Sequence, residues 1–155
     1  MKSVKRIRIV GILSSVLISV IILAGICVYA TLPWLVRHYV DAADVRLAAD
    51  SYEVMLSLLY CVGIPVLMLL GLALLLTVNI SRGKSFVKQN TLCLNLIALC
   101  SVIIGIIFFV AMFFLNSIFP IIIATVFVLL AILTKVFADL FRAAIQYKEE
   151  NELTI

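Results

Sequence analysis

Charge is scarce in this chain and histidine scarcer: 13% of 155 residues are charged, and His38 is the single histidine. Soluble domains carry about 25% charged residues. A chain with half that share cannot cover a water-facing surface around an apolar interior. One histidine and no Cys-x-x-Cys pair leave nothing to build a metal site of the usual ligand sets, and no cofactor is expected. Nucleophilic catalysis needs a nucleophile, a base and an orienting group at one depth. The carboxylates here lie mostly in the first connection, between the first two apolar runs, and at the chain's end, so that constellation cannot be assembled and the chain reads as non-enzymatic. The four cysteines, Cys27, Cys61, Cys93 and Cys100, fall in apolar stretches and read as small apolar residues. No Pro-rich linker, low-complexity tract or clear repeat divides the chain.

What is present is apolar sequence in long runs: 66% of the residues are hydrophobic. The runs cover about residues 9–32, 54–78, 92–115 and 117–134. An α-helix needs roughly 20 residues to cross the ~30 Å of a bilayer's hydrocarbon. Backbone in lipid must bond to itself, so the four runs are four helices. The expected fold is all-α: a polytopic integral membrane protein with four transmembrane helices in an antiparallel bundle. The four spans take up nearly the whole chain, so residues 1–155 form a single domain with no separate catalytic module, and its first partner is the lipid bilayer.

The basic residues are placed unevenly. Lys2, Lys5, Arg6 and Arg8 precede the first run; Arg82, Lys84 and Lys88 follow the second; Lys135, Arg142 and Lys148 follow the fourth. Together they are ten of the twelve Lys and Arg. The connection between the first two runs instead carries Asp41, Asp44 and Asp50 against Arg37 and Arg46. Positive charge in short loops marks the cytoplasmic side, so both termini and loop 79–91 are expected there. The net charge of +4 is thus explained by orientation and lipid headgroups, and no direct nucleic-acid binding is expected. Lys2 to Arg8 followed by Val28-Tyr29-Ala30 imitates a cleaved signal peptide, but the apolar stretch exceeds the 7–15 residues of such a segment.

Local signals refine the helices. Pro33-Trp34 is expected to end the first span, with Tyr29 and Trp34 as interfacial anchors. Pro65 lies inside the second span and removes a backbone bond. Gly83 suits a helix C-cap and Ser85 the N-cap that follows. Asn116-Ser117 is a tight turn between spans three and four, with Pro120 in the first turn of the fourth. The fourth helix is expected to continue from Val136 to Tyr147, with Phe137, Leu140, Phe141 and Ala144 on one face and Asp139, Arg142 and Gln146 toward water. A tail from Glu149 to Ile155 follows. Ser15 and Ser19, Ala24 and Gly25, Gly63 and Gly71, and Ala98, Ser101 and Gly105 allow close helix approach, within one bundle or between copies in a homo-oligomer. Asn95, one turn inside the third span, is expected to hydrogen-bond to another helix. His38 reads as a solvated loop residue.

Two segments at the cytoplasmic side stand out as a candidate docking surface. The first is the basic turn of Arg82, Gly83, Lys84 and Phe86, with Asn90 a turn later. The second is the tail of Glu149, Glu150, Asn151, Glu152, Leu153, Thr154 and Ile155, acidic and then apolar at its end. A tail that is only solvated needs no such ending, whereas a docking peptide does. It can also fold back so that Lys84 and Lys88 meet its acids. These segments resemble an uncharacterised bacterial family of small four-span membrane proteins. That family carries a Gly-x-x-Phe-x-x-x-Asn turn and a terminal Glu-Asn-Asp/Glu-Leu-Thr-Ile/Val, although Pro is usual where Ser85 stands and Gly is common near Ala144. The resemblance implies a bacterial inner-membrane protein with no established activity. Members are often encoded beside a small Cro-like helix-turn-helix regulator, which implies a partnership with such a protein. Holding that regulator at the membrane is one expectation; a subunit of a small oligomeric channel or exporter is the other. For orientation, Ser85→Cys should react with a membrane-impermeant thiol reagent only in opened cells, and Asp44→Cys in intact ones.

Overall fold

The computed structural model describes residues 2–42, 50–84, 87–115 and 118–152. They form four α-helices: α1 (Lys2–Ala42), α2 (Asp50–Ser81), α3 (Lys88–Leu115) and α4 (Phe119–Glu152). No strand occurs among the described residues. Each helix is long and apolar enough to cross a membrane. At 1.5 Å per residue, even α3, with 28 residues, reaches roughly 42 Å, beyond the hydrocarbon thickness.

The helices overrun the expected spans, for local reasons. α1 does not stop at Pro33 but passes through it. The proline costs the Tyr29 carbonyl its helical partner, yet Leu32 and Val36 on either side are buried and hold this stretch against α2. Tyr52 Oη also donates to the Pro33 carbonyl at 3.4 Å. α2 likewise runs unbroken through Pro65. The expected cap at Ser85, the turn at Asn116-Ser117 and the end from Leu153 to Ile155 lie outside the described residues. α4 does continue past the fourth run, and further than expected: Glu149 to Glu152 form its last turn, not a tail.

Each helix packs against its neighbours in sequence. Contacts join α1 to α2, α2 to α3 and α3 to α4, and no other pair among the described residues. The bundle is therefore open, with α1 and α4 as its edges. Between α1 and α2 the approach is set by missing side chains. A Cβ on Gly11 would stand 2.7 Å from that of Ser81, and one on Gly63 would overlap the ring of Tyr29. That ring meets Tyr60 edge-on at 5.1 Å, and its hydroxyl donates to the Tyr60 carbonyl at 3.4 Å. Gly71, by contrast, has no neighbour within 4 Å of a built Cβ.

α3 and α4 form the tightest pair. Ala124, Ala131, Ala138 and Ile145, seven residues apart, are all buried on α4, with Thr134 between them. They face the buried Ala98, Ser101, Ile104 and Gly105 side of α3, where a Cβ on Gly105 would sit 3.3 Å from Val128. Repeats of seven keep one seam against a neighbouring helix, and small side chains let the backbones approach. The same register corrects the expected face of the α4 extension. Ala138 and Ile145 are buried and Phe141 and Ala144 half-buried, while Phe137 and Leu140 are exposed. The contact face simply continues that of Ala131 and Thr134.

Gly11→Val should destabilise the α1–α2 pair by about 1–3 kcal/mol through overpacking, whereas Gly71→Val should not. Thermal unfolding of the two variants in the same mild detergent distinguishes them.

Candidate functional site at the basic end

Gly83 ends α2 in the left-handed region, at φ +77°. Its N–H donates to the Ile80 carbonyl at 3.0 Å and that of Lys84 to the Asn79 carbonyl at 3.0 Å. This pair of bonds is the Schellman arrangement, which satisfies carbonyls that a helix end leaves open. Glycine takes the position because a side chain disfavours positive φ. The turn exposes Arg82, Gly83 and Lys84. Phe86 lies outside the described residues.

Asn90 holds this turn from beneath. Its side chain is fully buried. It donates from Nδ2 to the Lys84 carbonyl at 2.8 Å, and its Oδ1 accepts from Asn79 Nδ2 at 2.9 Å. Expected on the docking surface, Asn90 instead shapes that surface without forming part of it. Its partner Asn79, eleven residues earlier at the end of an apolar run, is the polar residue the sequence reading passed over. Its only sequence signal is an amide in a stretch that otherwise has no need of one.

The two candidate segments meet. Lys88 Nζ lies 2.9 Å from Glu149 Oε1, joining the start of α3 to the end of α4. Both side chains are well exposed, so the pair orients more than it stabilises, at about 0–1 kcal/mol. Glu150 and Asn151 are exposed on the same last turn. Farther along α3, Asn95 Oδ1 accepts from Lys135 Nζ at 3.1 Å, and Lys135 also pairs with Asp139 at 3.1 Å. Asn95 thus bonds across helices as expected.

Elsewhere the chemistry is sparse. His38 lies in α1, stacked on Trp34 with ring centres 5.6 Å apart and planes parallel within 1°. All four cysteines are free thiols, Cys27 and Cys61 exposed and Cys93 and Cys100 buried. No group of three His, Cys, Asp or Glu that could hold a metal ion occurs among the described residues. A groove of about 450 Å³ opens between α2 and α3 at the end opposite the basic turn, lined by Val54, Ser57, Cys61, Ile106, Val110 and Phe114 among others. Its one hydroxyl, Ser57 Oγ, donates to the Val54 carbonyl at 2.9 Å. The groove therefore offers apolar contact, with the free thiol of Cys61 in its lining.

Four membrane-length apolar helices define a multi-pass helical membrane protein. The chain belongs to the family described as Protein of unknown function (DUF2975), whose model matches residues 29–155. No curated protein and no solved structure matches it. Both candidate segments fall inside the matched region.

Asn90→Ala should cost about 1–3 kcal/mol, since it strands the Lys84 carbonyl and the Asn79 amide. Lys88→Ala should cost under about 1 kcal/mol. Equilibrium unfolding in detergent should therefore rank Asn90 well above Lys88.

Proposed function

We propose that this chain is a non-enzymatic protein of the bacterial inner membrane whose cytoplasmic face holds a small DNA-binding protein. Its four helices run antiparallel, with both termini and loop 82–90 in the cytoplasm. The basic flanks support this orientation. The antiparallel course is supported by contacts that pair early residues of one helix with late residues of the next: Gly11 with Ser81, and Lys88 with Glu149. The observation that carries the docking reading is the Lys88–Glu149 contact. It brings the basic turn and the acidic end of α4, 61 positions apart in sequence, into one surface.

Charge gives that surface its selectivity. Glu149 and Glu150 are exposed on the last turn of α4, and Glu149 meets Lys88 beside the basic turn. A protein that binds DNA carries a basic face, and an acidic helix end competes for that face with phosphate. Exposed charges of this kind set encounter rate and partner choice more than raw affinity. Sequestration at a membrane requires just such a reversible contact.

The test compares membrane and cytosol fractions of a small helix-turn-helix regulator of the kind the resemblance implies, in cells with the full chain, without it, and with a chain truncated after Tyr147. The expected result is a membrane-bound regulator only with the full chain. An unchanged distribution on deletion overturns the reading and gives first place to the small channel or exporter subunit. Flux of ions and small solutes from liposomes holding the purified chain then decides that alternative.

A further inference from the structure

α4 carries two apolar seams on opposite sides, and the chain itself covers one. The buried seam through Ala124, Ala131, Ala138 and Ile145 faces α3. Across the helix run Leu129, Leu133, Val136, Leu140, Ala143 and Tyr147, spaced alternately four and three apart. All six are exposed, the five larger ones by 51–69%. Between the seams lies a polar stripe of the same period: Lys135, Asp139, Arg142 and Gln146.

Within the bilayer an exposed apolar face needs no protein partner. Roughly 20 residues from Phe119 cross the hydrocarbon, which brings α4 out at about Asp139. Leu140, Ala143 and Tyr147 lie beyond that level, in register with the membrane part of the seam and without a charge among them. Lipid demands apolarity but no period, whereas a repeat of 3.5 is what keeps two helices in contact along their length. Past the hydrocarbon, a period without a charge is a helix-binding surface.

We propose that a second copy of this chain covers the outer seam, α4 against α4, in a parallel pair about a two-fold axis normal to the membrane. Three observations favour that occupant. α4 is an edge of the open bundle and touches only α3 among the described helices. The seam passes from lipid into water without changing register, and a partner inserted in the same membrane follows it through both, while a soluble partner reaches only its last two turns. Copies inserted in the same direction place the seam against itself, so it must carry no central charge, and it carries none through Tyr147. The pairing is separate from the docking reading, which uses the turn and the last turn of α4.

The full chain with Cys27, Cys61, Cys93 and Cys100 replaced by Ala is the background for single cysteines at 139, 140, 142, 143 and 146. In native membrane vesicles, copper-phenanthroline oxidation should give roughly tenfold more disulfide-linked dimer at Leu140→Cys and Ala143→Cys than at Asp139→Cys, Arg142→Cys or Gln146→Cys, because only Cα atoms within about 7 Å can be bridged. Dimer at the polar stripe, at no position, or equally at all positions overturns the pairing, as does an adduct at the seam with another protein alone. The unmodified chain, counted by single-molecule photobleaching of a fluorescent fusion in vesicles at low density, should show two bleaching steps. Leu140→Glu should shift it to one. One step for the unmodified chain also overturns the proposal.

Discussion

The α1–α2 and α3–α4 pairs meet along one interface, α2 with α3, and the side chain of Asn90 fastens its basic end. A buried amide in apolar surroundings is costly unless its groups are satisfied, and Asn90 uses its donor on the Lys84 carbonyl and its acceptor on Asn79. These bonds fix where α2 ends and where α3 starts. That register sets the level of Lys88, which in turn meets Glu149 on α4. Removing the amide would therefore loosen more than a turn; it would weaken the register between the two helix pairs.

The scarcity of buried polar groups has a functional side. Along most of the spans the hydroxyls bond to carbonyls of their own helix, as Ser15 does to Gly11 and Ser101 to Ile97. At the basic end, polar side chains of α2, α3 and α4 meet.

Much of this was legible in the residues. Four apolar runs named four helices, Gly83 named the end of α2, and Asn95 named a bond between helices. The misses over buried faces share one cause. In a membrane span nearly every residue is apolar, so the contrast that shows which face is buried in a soluble helix is missing. The seam of Ala124, Ala131 and Ala138 is a pattern of size against a uniformly apolar background, and it became visible only through packing. The face of the α4 extension was misread for the same reason, since Phe137 and Leu140 are as apolar as Phe141 and Ile145. Pro33 misled differently: proline breaks a helix when water competes for the freed carbonyl, and packing against α2 through Leu32 and Val36 outweighs that here. The burial of Asn90 depended on Asn79, a partner that spacing alone did not name.

Packing that links only sequence neighbours also bears on how the protein is made. Each helix leaving the ribosome meets its main partner with the next span synthesised, so no early helix waits for a late one across the bundle. α1 closes on α2 before α3 exists, and α3 on α4 afterwards. Insertion can thus proceed by halves, each helix pair shielding its own small-residue interface, with the junction at Asn79 and Asn90 formed last. The short segment between α2 and α3 is then the natural place to divide the chain into two separately made pieces that reassemble in the bilayer.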